Sequence, residues 1–86
     1  MANFSTGDLV ISLCGHDRGG YFIVLSYDGE YVTICDGKRR KAAKIKKKKN
    51  KHIKATGLST DLINNAEKHA VDAIVRREIV RLTKLI

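Results

Sequence analysis

The sequence predicts a mainly β domain with a helical tail: a small barrel of about five short strands, then one or two helices. Three observations carry this. Residues 7–36 alternate apolar and polar with the period of two that marks half-buried strands. Glycine-bearing turn signals cut that stretch into pieces of strand length. From Ser59 the apolar spacing changes to that of a helix. With 86 residues the chain makes one small domain with a modest core, so a large catalytic cleft is not expected. Residues 1–57 are expected to form the barrel and residues 58–86 the helical extension packed on or beside it.

The first strand should run from about Asp8 to Cys14. Gly15-His16-Asp17-Arg18-Gly19-Gly20 then reverses the chain, with Gly19 taking the positive φ that a tight turn requires. Its tip presents His16 and Arg18. The second signal, Asp28-Gly29, reads as the centre of a two-residue type I′ hairpin. That register sets Tyr27 opposite Glu30, Leu25 opposite Val32 and Ile23 opposite Ile34. One face then carries Ile23, Leu25, Val32 and Ile34, which suit a barrel interior. The other carries Phe22, Val24, Ser26, Tyr31, Thr33 and Cys35, a mixed surface that something should partly cover. Asp36-Gly37 is the third turn. Further strands are expected over about 40–45 and 51–55, and closure into a barrel would remove the exposed edges of so short a sheet.

In the tail, Ser59 or Thr60 can cap a helix and Asp61 suits its first turn. Leu62, Ile63, Ala66, Ala70, Ala73 and Ile74 form one stripe, and Val75, Ile79, Leu82 and Ile86 a second. The two stripes lie on nearly opposite faces of a continuous helix. A break near residues 69–72, with Asp72 as a second cap, resolves the conflict. The second stripe either packs on the mixed face of the barrel or docks a partner.

Charge is the strongest functional signal. The net charge is +8, from 17 Lys+Arg and 9 Asp+Glu. Eleven of those cations fall within residues 38–54, a stretch with no acidic residue, leaving the remainder slightly acidic. Like charges this dense want a polyanion. A membrane-surface segment would need bulky apolar residues along one helical face, but here only Ala42, Ala43, Ile45 and Ile53 are apolar. Nucleic acid is the better match. The longest apolar run is five residues, too short to span a bilayer. The first residues have neither a basic n-region nor an apolar h-region, so a cytosolic protein is the default expectation.

Other chemistry finds little support. Cys14 and Cys35 have no CxxC spacing, and His16, His52 and His69 fall on separate elements, so no metal site is expected. The thiols read as small buried side chains. The glycines at 15, 19 and 20 precede a strand rather than a helix and so do not form a phosphate loop. No cofactor is expected. An enzyme is not expected either: a nucleophile, a base and an oxyanion hole do not assemble in recognisable form. Tyr21, Phe22, Tyr27 and Tyr31 lie in the hairpin, where packing is their expected role rather than base stacking.

Gly7-Asp8-Leu9-Val10, Gly15-His16-Asp17-Arg18-Gly19-Gly20 and Tyr21-Phe22-Ile23-Val24 together resemble a KOW motif, a strand–turn–strand with glycine in the turn. Asp36-Gly37-Lys38 and a lysine-rich run ending in Lys51-His52-Ile53 follow in order. The set is similar to small bacterial KOW-domain RNA-binding proteins, and through them to KOW-bearing large-subunit ribosomal proteins of archaea and eukaryotes. It covers about residues 6–57. Relatives often carry proline just before the lysine run, where this chain has Ile45.

The resemblance implies an SH3-like barrel that binds RNA and works in translation, as a ribosomal protein or as a ribosome-associated or assembly factor that binds rRNA. The turn residues would be Gly15, Asp17, Gly19, Asp36 and Gly37. The motif carries over to Arg18, Lys38, Lys46, Lys48, Lys51 and His52 as RNA contacts, and the turn tip and the charge run add His16, Arg39, Arg40, Lys41, Lys44, Lys47, Lys49 and Lys54. A second reading makes the domain a protein-interaction module, since KOW domains also occur in transcription elongation factors. In that case its apolar C-terminal helix would contact ribosomal or transcription proteins.

Overall fold

The turn signals divide the chain much as expected. The computed structural model describes residues 3–86. Its strands are β1 (Asp8–Ser12), β2 (Tyr21–Tyr27), β3 (Tyr31–Cys35), β4 (Lys46–Lys49) and β5 (Ile53–Ser59), followed by helix α1 (Val71–Thr83). They form one antiparallel sheet in the order β4-β3-β2-β1-β5. The two edge strands, β4 and β5, are joined in sequence only by the three-residue 3-10 turn Asn50–His52. Four strand spacings of about 4.8 Å separate the edges of a flat sheet, farther than so short a link can reach. The sheet therefore curls on itself. A small barrel-like β domain followed by one helix is the class the sequence predicts.

The hairpin register differs from the expected one. Ile23 pairs with Cys35 and Val24 with Ile34; after an irregularity between Val24 and Ser26, Ser26 pairs with Thr33 and Tyr27 with Val32. The turn explains the shift. The Asp28 amide donates to the Tyr31 carbonyl, so Gly29 and Glu30 are the central residues. Gly29 has φ +98° and no non-glycine among the described residues, Glu30 included, has positive φ, the signature of a type II′ rather than a type I′ turn. The Asp28 carboxylate accepts the amides of Tyr31 (2.7 Å) and Glu30 (3.0 Å), which hold it below the usual carboxylate range. Asp28 thus brackets the turn from outside.

A register shift of one residue exchanges faces between strands. Val24 and Phe22, expected on the outer face, join Val10, Val32, Ile34, Ile53 and Phe4 in the interior. Ile23, expected inside, faces outward with Leu9 and Cys35, and α1 covers that face through Val75 and Leu82. The core thus has two layers, one inside the curl and one under the helix. Val71, Ile74 and Ile79 pack at the margin of the second layer. The stripe Val75–Ile79–Leu82 packs on the sheet, and Ile86 at its end stays 67% exposed.

Three further expectations are corrected. Residues 40–45 are not a strand; Ala42–Lys44 form a 3-10 turn and the edge strand is the lysine run itself. Residues 60–67 are not helical. β5 continues to Ser59, and the Thr60 amide donates to the Gly7 carbonyl at 2.9 Å, prolonging the pairing. A turn then drops Ile63 into the core beneath α1. Asp72 does not cap α1. Its carboxylate accepts the Ala42 amide at 2.8 Å, securing the loop before β4.

Glu78 fastens α1 to the end of β5. It is 2% exposed, accepts the Thr60 hydroxyl at 2.6 Å and takes two bonds from Arg81, at 2.8 and 2.9 Å. The Arg81 bonds, opposed by burial and reinforced by Thr60, pull its carboxyl down to about 2. Because the folded value lies below the unfolded one of 4.5, this stabilisation is complete above pH 4.5 and is lost as pH falls through 2. The expected loss is about 2–3 kcal/mol. Urea midpoints at pH 6, 4, 3 and 2 should fall across that window for the wild type. In Glu78→Gln the fall should be flatter, from a lower starting value.

Candidate nucleic-acid interface

A strand of four lysines must still alternate. β4 pairs Ile34 with Lys46, Val32 with Lys48, Thr33 with Lys47 and Tyr31 with Lys49. Directly opposite residues share a face, so Lys47 and Lys49 point outward with Thr33 and Tyr31. Lys48 follows Val32 inward and is only 8% exposed. Its ammonium donates to the Ser12 hydroxyl at 2.9 Å and to the Cys14 carbonyl at 2.7 Å, and lies 3.9 Å from the Asp17 carboxylate. A buried ammonium demands such partners. The structure therefore removes Lys48 from the expected RNA contacts and makes it the polar plug beneath the glycine turn.

That turn folds as expected at its tip. Gly15 and Gly19 have positive φ, and the Gly20 amide donates to the Asp17 carbonyl at 2.9 Å. His16 and Arg18 are exposed. The Asp17 side chain, 9% exposed, turns inward between Lys48 and the Arg40 Nε, the latter at 3.3 Å. One carboxylate thus joins the turn after β1 to the start and the middle of the basic segment, although Arg40 and Lys48 lie 23 and 31 positions away. The residue type was legible as a turn former; its role as an internal counter-ion was not.

The loop after β3 is equally constrained. The Asp36 carboxylate accepts the amides of Lys38 (2.8 Å) and Arg40 (2.9 Å), and the Arg40 carbonyl accepts the Asp36 amide. Gly37 has φ +77°, and a Cβ there would stand 2.3 Å from the Asp72 carbonyl oxygen of α1. Only glycine lets the loop lie this close to the helix. At the other end the Leu13 amide donates to the His52 carbonyl at 2.9 Å, fixing the 3-10 turn that carries Lys51.

The basic segment is therefore a bracketed structure rather than a loose arm. Lys38, Arg39, Lys41, Lys44, Lys47, Lys49, Lys51 and Lys54 are exposed. Arg40, Lys46 and His52 are half-buried. Asp17, Asp36 and Asp72, each bonded to this segment, spend carboxylate oxygens on internal partners. Asp28 and Glu30, at the turn beside Asn50, are exposed, but every charge the segment itself shows to solvent is cationic.

The aromatic rings serve the core. Phe4 and Tyr27 meet edge to face with centroids 5.5 Å apart, and Phe22 is buried. Cys35 is buried, and burial, reinforced by the charges of Asp72 and Asp36, pushes its thiol up to about 12, far from a reactive thiolate. Among the described residues there is no pocket and no cluster of three or more His, Cys, Asp or Glu that could hold a metal. No helix among them is long and apolar enough to cross a membrane. No protein-family model matches the chain, and a search of curated proteins finds no significant match.

Proposed function

We propose that this protein binds RNA, that the RNA is ribosomal, and that the eight exposed cations of residues 38–54 make the phosphate contacts. The observation that supports the reading is a rigidly bracketed segment whose solvent-facing charges are all positive. A backbone already held in place loses little loop freedom on binding. Phosphate contacts position the protein without reading sequence. Arg18, at the exposed turn, and Arg39 add forked donors that suit bases and phosphates in structured RNA. The KOW resemblance of residues 6–57 supports a ribosomal target and a place as a ribosomal protein or assembly factor. The protein-interaction alternative loses its main support, because the apolar stripe of α1 already packs on the sheet.

Binding to a structured ribosomal RNA fragment should weaken about 10³–10⁴-fold between 50 and 200 mM salt if six to eight cations engage. Fluorescence anisotropy over a salt series measures this, and salt-independent binding would overturn the electrostatic mechanism. Sedimentation of lysate in low salt tests the ribosomal assignment. A protein that stays at the top of the gradient does not associate with ribosomes.

A further inference from the structure

Counted along the sequence, the helical tail looks nearly balanced in charge. Folding changes what it shows to water. The two acidic residues of α1 are both spent internally: Glu78 is 2% exposed on Thr60 and Arg81, and Asp72 accepts the Ala42 amide. The cations Arg76, Arg77, Arg81 and Lys84 are all exposed. Arg77 and Lys84 lie two turns apart, about 10.5 Å along the axis, on the side opposite the buried Val75, Glu78 and Leu82. Every charge on the outer face of the helix is positive.

This face is continuous with the basic loop. The Arg76 Nη1 donates to the Gly37 carbonyl at 2.6 Å. A Cβ at Gly37 would stand 2.7 Å from the Arg76 Cγ, so nothing intervenes between the loop and the helix flank. Lys38 and Arg39 follow directly in the chain. Resting on the RNA reading above, we infer that the outer face of α1 is a second limb of the same interface, with Arg77 and Lys84 contacting phosphates and Arg76 positioning the loop. Polyanion is the matching partner. A lipid surface would need a row of bulky apolar residues on this face, where Val80 stands alone between Arg77 and Lys84 while the apolar stripe faces the sheet. Lys84 also complements the C-terminal helix dipole, but Arg77 stands in mid-helix, where the dipole gives a cation no advantage.

The test compares the wild type with R77Q/K84Q and R77K/K84R, by anisotropy on a labelled ribosomal RNA hairpin across a KCl series. R77Q/K84Q should make the log–log salt slope shallower by about two and weaken binding about 10–100-fold at 100 mM salt. R77K/K84R should keep the wild-type slope, because the charge is retained. The thermal midpoint should hold in both. If R77Q/K84Q is less stable, R77Q alone is read instead, with an expected slope change of about one. An unchanged slope in folded R77Q or R77Q/K84Q, beside a salt-dependent wild type, overturns the helix limb and leaves the RNA reading standing. A wild type that does not bind RNA overturns both.

Discussion

Lys48→Ala should destabilise the fold by about 3–5 kcal/mol, the cost of breaking a buried ion pair by removing one partner. The same substitution at Lys47 or Lys49, its neighbours on β4, should change stability by less than about 0.5 kcal/mol, as expected of exposed sites. The contrast follows from the alternation of β4. The Lys48 ammonium is the shared partner of the Ser12 hydroxyl, the Cys14 carbonyl and the Asp17 carboxylate. Without it, the hydroxyl and the carbonyl lose a donor in the interior, and the inward-turned Asp17 keeps only Arg40. A domain stable by about 5–15 kcal/mol would lose a large fraction of its margin. Lys48→Met should be nearly as harmful, since it restores volume but no charge. Adding Asp17→Asn to it should recover part of the loss, because the inward carboxylate left with Arg40 alone is then replaced by a neutral amide. Urea midpoints for the set decide the matter. An unperturbed Lys48→Ala would mean that the plug beneath the glycine turn contributes nothing.

The same lysine shows where the sequence was legible and where it was not. Turn positions were readable because glycine is needed wherever φ is positive, and Gly15, Gly19, Gly29 and Gly37 all take that conformation. Strand identity inside the lysine run was not readable. Periodicity needs apolar and polar residues to alternate, and four identical lysines carry no period. The inward member was legible only by first accepting the run as an edge strand and then applying the pleat. The hairpin register failed for a related reason. Asp28-Gly29 is a type I′ signal, but Gly29-Glu30 is an equally sound type II′ signal one residue later, and the Asp28 side chain settled the choice by bonding two turn amides. Once the register moved, the assignment of the faces moved with it.

In the tail, the helix expected from Asp72 forms as α1, but the helical piece expected before it, from Ser59, does not. Leu62, Ile63 and Ala66 fit helical spacing, yet Thr60 remains bonded to Gly7 and keeps the chain extended past Ser59. Long-range pairing overrides a weak local period here. Charge summed over the tail concealed the basic face of α1 for the opposite reason. Summation treats a buried carboxylate and an exposed one alike, whereas only the exposed one meets a ligand.

The division between plug and surface predicts the largest functional effect. Replacing Lys47, Lys49, Lys51 and Lys54 together by Gln should lower affinity for structured RNA about 10³-fold at 100 mM salt, and make the salt slope shallower by about four. All four side chains are exposed, and they sit on β4, the 3-10 turn and the start of β5, elements whose backbone partners remain. The fold should therefore persist, with an unchanged circular dichroism spectrum and a urea midpoint near that of the wild type. Relieving like-charge repulsion should, if anything, raise that midpoint at low salt. Anisotropy and urea melts on the same preparations separate the two roles. A quadruple variant that keeps wild-type affinity while folded would place the RNA contacts elsewhere on the molecule. One that unfolds would mean that these lysines hold the sheet together as Lys48 does.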